Sequence, residues 1–330
     1  MEANCFCDLA SIHDSHGMKG GFFDFKRVRR RFRSPLATGA GNVDAVDRVL
    51  LRCQSETGVG YGEIAPWPGF PSETIDQAIE VMRSAQGNYS HLCSTVQASR
   101  SALPCLAAAL SSCEHWTAIA AYGGELPCAG LIALSGDDAA AKIAAGFQTL
   151  KIKISATTQE PSIREIFSLF AGQVRLDANG SLNLTAARTW AEFARSEKRV
   201  EFLEQPLPVG HPGYASLGQD KIALDESFLT PAGSDWPGLV VIKPLLAGDW
   251  TELRAWRQHR LSPVVYSSCF ETAIGRQAAL WLASLDEEVG TVGFDTLGRF
   301  EHDARDRHPA GPIVRGMADF DWDAFWREIS

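Results

Sequence analysis

Five short runs decide how this 330-residue chain is read: TLKIKIS (Thr149–Ser155), VRLDAN (Val174–Asn179), FLEQPL (Phe202–Leu207), IALDES (Ile222–Ser227) and VVIKP (Val240–Pro244). Each is an apolar stretch with a charged group near its C-terminal end. In order these groups are Lys153, Asp177, Glu204, Asp225 and Lys243, spaced 24, 27, 21 and 18 residues apart. Each gap has room for one helix and two loops, which is the period of a repeated βα unit. Parallel strands of a (β/α) barrel all end at one face, where active sites are built, so residues distant in sequence meet there if each ends its strand. Three carboxylates brought together repel unless a cation lies among them. An all-oxygen set without paired His or Cys suits Mg²⁺, with Mn²⁺ as a possible substitute, rather than zinc.

Outward from these runs the alternation continues. Strand starts are expected near 129, 149, 174, 202, 222, 239, 263 and 291, which makes eight. Helices are expected over Asp137–Gly146, Ser162–Phe170, Thr185–Arg195, Trp250–His259 and Gly275–Ser284. The right-handed crossover rule leaves few topologies other than a closed barrel.

Upstream the pattern differs. Phe22–Phe32, Ala45–Gln54 and Val59–Ala65 read as strands, with a tight turn at Glu56–Gly58. The Gly-rich Pro35–Asn42 joins the first two, either as a mobile cover for a barrel mouth or as a plain hairpin connection. Pro66–Pro71 stops the sheet. Ser72 reads as a helix N-cap before Ile75, Ala78, Ile79 and Met82, and a second helical region spans Thr95–Ala121 with Pro104 near a helix start.

The expected organisation is thus a flexible leader over 1–21, an α+β capping domain over 22–124, a TIM-type (β/α)7β barrel over 125–311 and a tail over 312–330. The tail returns to pack Phe320, Trp322 and Phe325 on the capping domain. In the leader, His13 and His16 read as solvated.

Composition excludes several classes. A net charge of −9 argues against a nucleic-acid partner. The basic run Lys26–Arg33 alternates with Val28 and Phe32 and reads as a strand with one solvated face. No apolar run approaches the roughly 20 residues that span a bilayer, and residues 1–21 lack the apolar segment of a secretion signal. The eight cysteines form no CxxC pair, so a reduced, cytoplasmic protein with mostly buried thiols is expected. Nothing in the sequence fixes the oligomeric state.

The chemistry these residues permit is proton abstraction next to a carboxylate. The α-proton of a carboxylate is very weakly acidic, and a divalent cation in a water-poor site stabilises the enediolate left behind. Lys153 and Lys243 are expected on opposite sides of the mouth, either or both facing the α-carbon of a small carboxylate substrate. Lys151 shares the face of Lys153, because strand side chains alternate, and is positioned to lower the pKa of Lys153; contact with the substrate carboxylate or neutralisation of the acidic cluster is the other reading.

KIKIS, RLDAN, FLEQPL, ALDES and VIKP, in this order, resemble the enolase superfamily and, more narrowly, its muconate-lactonising-enzyme subgroup, with KxK on the second barrel strand and a lone lysine on the sixth. GYGEIAPWPGF (Gly60–Phe70) and SALPCLAAALSSCEHW (Ser101–Trp116) look like the capping strand, loop and long helix of that subgroup. SSCFET (Ser267–Thr272) followed by GFDTL (Gly293–Leu297) most resembles its o-succinylbenzoate synthase family.

The resemblance implies that Asp177, Glu204 and Asp225 bind Mg²⁺. It implies that Lys153 takes the α-proton of a cyclohexadiene carboxylate and then acts as acid to expel the hydroxyl from the same face, giving 2-succinylbenzoate for menaquinone or phylloquinone synthesis. Lys243 stays protonated and stabilises the enediolate. Ser267, Ser268 and Gly293 lie beside the substrate, with Gly39–Gly41 above it. Arg175 and Asn179 flank Asp177 and are expected on its face, Arg175 toward substrate and Asn179 behind the metal. Asp225 rather than Glu226 faces the mouth, and Glu226 is expected to pair with Lys151 or another cation. The alternative is an N-acyl amino-acid racemase or epimerase of the same superfamily. Dipeptide epimerases of the subgroup carry an Asp-rich motif on the last strand, where this chain has only Asp295.

Overall fold

The computed structural model of the protein describes residues 21–38, 41–56, 58–132, 137–230 and 235–329. The expected leader up to residue 20, with His13 and His16, the thiols Cys5 and Cys7, and Gly39 of the hairpin loop lie outside these residues.

The chain begins with a three-stranded antiparallel sheet of β1 (Phe22–Thr38), β2 (Gly41–Ser55) and β3 (Gly58–Ile64), in the order β1-β2-β3. β1 and β2 are longer than the sequence suggests. A register shift between Arg31 and Leu36 absorbs Pro35, after which Leu36 to Thr38 pair with Val43 to Gly41. Leu36–Thr38 and Gly41–Val43 therefore belong to the hairpin ladder, which resumes once the proline, lacking a backbone donor, has been bypassed.

Four helices follow: α1 (Ile75–Ser84), α2 (Tyr89–Ala98), α3 (Pro104–Glu114) and α4 (Trp116–Ala120). The N-cap of α1 is Thr74, not Ser72. Thr74 and Gln77 form a reciprocal capping box, and Ser72 has no Glu or Gln three residues on to do the same. α3 lies directly on β3. A Cβ on Gly60 would stand 2.3 Å from the Cys113 carbonyl, and one on Gly62 2.2 Å from that of Ala109, so the close approach requires both glycines.

Next come β4 (Glu125–Pro127), β5 (Gly130–Ile132), α5 (Asp137–Ala144), β6 (Thr149–Lys153), α6 (Glu160–Leu169), β7 (Gln173–Asp177), α7 (Leu184–Ser196), β8 (Val200–Glu204), α8 (Tyr214–Leu217), β9 (Ile222–Leu224), β10 (Leu239–Ile242), α9 (Trp250–Gln258), β11 (Val264–Tyr266) and α10 (Ala273–Ser284). Strands β5 to β11 form one parallel sheet of seven in sequence order. The eighth expected strand, near Thr291–Phe294, appears only as two parallel bridges, Val292 to Cys128 before β5 and Gly293 to Ser267 after β11. Its backbone still reaches both edges: Ala129 N–H donates to the Val292 carbonyl and Gly293 N–H to that of Tyr266, each at 2.8 Å.

The chain ends in β12 (Ile313–Arg315) and α11 (Trp322–Glu328). β12 pairs antiparallel with β4, and α11 lies against the N-terminal elements. Trp322 stacks edge-on with Trp116 at 5.2 Å, and Tyr61 lies 5.8 Å from the Trp326 ring. Lys26 Nζ donates to the Trp326 and Ile329 carbonyls at the end of α11, where the helix leaves carbonyls without partners of their own.

The basic run in β1 is solvated on one face, where Arg27, Arg29, Arg31 and Arg33 are exposed. Its other face carries a buried cation that alternation did not announce. Arg30 is fully buried and donates to Asp303, Asp306 and the Glu271 carbonyl.

Candidate active site

The register of the parallel sheet sets the site. Lys153 pairs across with Asp177, Asp177 with Glu204, and Glu204 with Ala223, two residues before Asp225. Asp225 and Lys243 directly follow β9 and β10. All five charges thus stand on one tier at the C-terminal ends of the strands. Lys153 on β6 and Lys243 on β10 are separated by the three strands that carry the acids.

Lysine ammonium groups interleave with the carboxylates. Lys151 Nζ lies 2.8 Å from Asp177 Oδ2 and 2.7 Å from Glu204 Oε1, and Lys153 Nζ lies 2.6 Å from Asp177 Oδ2. Lys243 Nζ donates to both oxygens of Asp225. Lys151 and Lys153 thus both reach Asp177, and Lys151 sits between two acids.

Burial and neighbours act against each other here. Burial opposes the charge of Asp177, but Lys151 and Lys153 beside it hold its pKa well below the usual carboxylate range. Glu204 is pushed up to about 7 by burial and by the adjacent Asp177. Asp225 is also raised by burial, although Lys243 counteracts it. Burial weighs against the charge on Lys151 and Lys243, but the surrounding carboxylates outweigh it and hold both above the ordinary lysine value.

A divalent cation can be tested against this donor set. With every group ionised, Asp177, Glu204, Asp225 and Glu226 carry four negative charges against three on Lys151, Lys153 and Lys243. Glu226 Oε2 is buried with no hydrogen-bond partner. A hard, oxygen-preferring cation fits this surplus of buried carboxylate oxygen. The side chains as they stand do not form a coordination shell: among the described residues no three His, Cys, Asp or Glu side chains are gathered to hold a metal. The ammonium groups of Lys151 and Lys243 occupy the gaps between the acids instead.

A cavity of about 910 Å³ opens above this tier. Lys151, Lys153, Asn179, Asp225, Glu226, Lys243, Ser267, Ser268 and Gly293 all line it, so most of the candidate residues share one space. Leu36 of β1, with Trp67 and Phe70 of the loop after β3, contributes the other wall, and Lys243 Nζ lies 4.7 Å from the Phe70 ring centre.

Two expectations are corrected. Arg175 does not reach the cavity. It is buried two residues below Asp177, donating to Glu201 at 2.5 Å and to the Thr291 carbonyl at 2.8 Å, with its guanidinium over the Phe202 ring. Alternation gives the correct face but not the depth, and two residues along a strand span about 6.6 Å. Glu226 does not pair with Lys151, which is already taken by Asp177 and Glu204. Its Oε1 accepts a hydrogen bond from Asn179 at 3.3 Å, while Asn179 Oδ1 accepts from Lys153 at 2.5 Å.

Sequence reasoning also missed residues that hold the site. Gln205, next to Glu204, accepts from the backbone N–H groups of Asp225 and Ser227, each at 3.1 Å, and donates to Ser227 Oγ and the Leu207 carbonyl. It fixes the turn that presents Asp225. A buried amide directly after a strand-end acid was the available signal. Glu271 accepts from Ser268 Oγ at 2.8 Å and lies 3.3 Å from Arg276, orienting a serine of the cavity wall.

Comparison with known proteins is consistent with this arrangement. The family described as "Enolase C-terminal domain-like" matches residues 136–234. The chain is 32% identical over 289 residues to an o-succinylbenzoate synthase of Thermosynechococcus vestitus, covering 79% of this chain and 88% of that protein. A crystal structure of o-succinylbenzoate synthase from Thermosynechococcus elongatus, with Mg in its active site, matches 93% of this chain and 98% of that one with a TM-score of 0.74 at 27% identity. A dipeptide epimerase from Methylococcus capsulatus, solved with Mg and the dipeptide L-Arg-D-Lys, matches 91% of this chain and 97% of its own with a TM-score of 0.76, but at 20% identity it shares the fold alone.

Proposed function

The chain belongs to the o-succinylbenzoate synthase family of the enolase superfamily, and from this we propose that it catalyses the syn-dehydration of 2-succinyl-6-hydroxy-2,4-cyclohexadiene-1-carboxylate to 2-succinylbenzoate. The observation that carries the reading is the pair Lys153 and Lys243, separated by three strands that carry buried acids, with one cavity above.

Mg²⁺, with Mn²⁺ as a substitute, is the cofactor of this reading, held by Asp177, Glu204 and Asp225; when bound it supplies positive charge where the substrate carboxylate becomes an enediolate. The Mg in the Thermosynechococcus elongatus structure supports this assignment. Lys153 removes the α-proton and returns it to the hydroxyl on the same face, which leaves as water. Its contacts with Asp177 and Asn179 orient the ammonium that forms in between. Lys243, kept protonated by Asp225, stabilises negative charge from the far side. Lys151 compensates Asp177 and Glu204 rather than transferring a proton. Ser267, Ser268 and Gly293 line the substrate's surroundings, and Phe70 and Trp67 exclude water above it.

The same reading assigns residues 22–124 to a capping domain, 125–311 to a (β/α)7β barrel with the bridging segment as its last strand, and 312–330 to a returning tail. Six described free cysteines suit a reducing compartment, so we assign the reaction to the cytoplasm, in menaquinone or phylloquinone synthesis. Among the described residues no helix is long and apolar enough to cross a membrane.

The epimerase alternative is disfavoured by Asp295. Its Oδ2 accepts the Leu131 N–H at 2.8 Å and pairs with Lys142 at 2.5 Å, so the acid is engaged rather than offered to a substrate ammonium. Loss of the cyclohexadiene absorbance on adding enzyme and Mg²⁺ tests the proposal. Rapid α-deuteration of N-succinyl amino acids in D₂O, without dehydration of the diene, would replace it with the racemase reading.

A further inference from the structure

The segment that bridges β11 and β5 leaves the ladder early. The Ala129 N–H still donates to the Val292 carbonyl, but the Phe294 carbonyl, two residues on, is taken by Arg276 and by the Thr296 N–H. The Leu131 N–H donates instead to Asp295 Oδ2, at 2.8 Å. A side-chain carboxylate thus stands in for a backbone acceptor at this seam. Lys142 of α5 pairs with the same Oδ2 at 2.5 Å, and its Nζ lies 5.0 Å from the Phe147 ring centre. Among the described residues Asp295 lines the cavity and Lys142 does not, so the ammonium meets the acid from behind the wall. Another cation of this wall, Arg299, donates to the Leu131 carbonyl.

This inference rests on the proposed function and deepens it. Substrate and product each carry two carboxylates, and an uncompensated acid in the wall of a low-dielectric cavity repels a dianion. We propose that Lys142 cancels the charge of Asp295 from behind and so keeps the site open to a dicarboxylate substrate. The fold needs the acid as an acceptor for Leu131, while the chemistry needs its charge hidden; the ion pair meets both demands. The Asp295 side chain is only 6% exposed, so solvent screens this pair far less than a surface one. Lys142 is a positioning residue, acting on the substrate only through Asp295.

The test measures 2-succinylbenzoate binding, with Mg²⁺ present, in Lys142→Met, Asp295→Asn and the double variant. Asparagine removes the charge and keeps an oxygen for the Leu131 N–H. The Kd should rise about 3- to 30-fold in Lys142→Met, fall in Asp295→Asn, and return to within about twofold of the unaltered value in the double variant. The singly charged 2-butanoylbenzoate should move less in each. In turnover, Lys142→Met should raise KM with kcat largely kept, and Lys142→Arg should behave as the unaltered protein. Weaker binding in both single variants, or a double variant no better than Lys142→Met, would assign the pair a purely structural role and overturn the proposal, as would unchanged binding in Lys142→Met. Should Lys142→Met not fold, Asp295→Asn decides alone: tighter binding supports the proposal, and unchanged or weaker binding overturns it. Failure of the unaltered protein to bind 2-succinylbenzoate or to dehydrate the diene would instead overturn the functional reading beneath it.

Discussion

The Glu63 carboxylate takes both the backbone N–H and the hydroxyl of Thr272, at 3.0 and 2.6 Å, across 209 residues of chain. It also accepts the Gly275 N–H at 3.0 Å, so a strand of the N-terminal sheet caps helix α10 of the parallel-sheet unit. Arg48, 3.7 Å away and fully buried, donates to the Cys269 and Phe270 carbonyls. The two units are thus joined by buried charge beside the cavity wall at Ser268.

Burial pushes the Glu63 carboxyl up to about 6, against the opposing charge of Arg48. The folded protein therefore holds this proton more tightly than the unfolded chain does. Its contribution to stability is full below the unfolded value near 4.5 and is lost as pH rises through about 6, a change of about 2 kcal/mol. Denaturant melts between pH 4 and 7 should show this decline in the unaltered protein and not in Glu63→Gln. Parallel curves for the two would refute the assignment.

His308 acts in the opposite direction. Burial, with Arg276 nearby, lowers its pKa to about 3. Gln277 uses its amide nitrogen on the Ile119 and Tyr122 carbonyls, so its oxygen must accept from His308 Nε2, at 3.2 Å. The second proton would go to Nδ1, which is buried without a partner. Stability from this group is full above about 6.5 and is lost as pH falls toward 3, by about 5 kcal/mol in all. His308→Gln should flatten the acid limb of the stability curve. Because Glu63 and His308 oppose one another between pH 4.5 and 6, that variant should also make the Glu63 decline easier to see.

Lys153→Ala and Lys243→Ala should each lower the dehydration rate on the order of 10²- to 10⁴-fold while the product still binds. Single-turnover assays with separate product titration check this. A Lys153→Ala enzyme with full activity would remove that lysine from the role of base.

Gln205→Ala should weaken Mg²⁺ about 10- to 100-fold, because the turn holding Asp225 loses its two acceptor contacts. Metal titration by calorimetry reads this without reliance on turnover. Treatment with a chelator should abolish dehydration in the unaltered protein and excess Mg²⁺ should restore it. A variant with unchanged affinity would show that Gln205 supports the backbone only.

The order of strands and the five strand-end charges were legible because they depend on local pattern: an apolar run, one charge at its end and a repeat long enough for a helix. What that pattern could not convey was depth and partnership. Arg175 shares a face with Asp177 yet lies beneath the cavity, and Glu226 meets Asn179 rather than a lysine. Arg30 and Arg48 look like surface charges on a strand, but their partners are more than 200 residues further along the chain. The cap of α1 was a different error, since Thr74 and Gln77 already show the capping-box spacing in the sequence.

The antiparallel pairing of β12 with β4 and the seating of α11 against Trp116 and Lys26 have a consequence for biogenesis. The layer built from β1, β2 and β3 is completed by residues 300 and 303 positions further along the chain than Lys26. Its final packing therefore awaits synthesis of α11, and a protein from which β12 and α11 are removed has that sheet left uncovered.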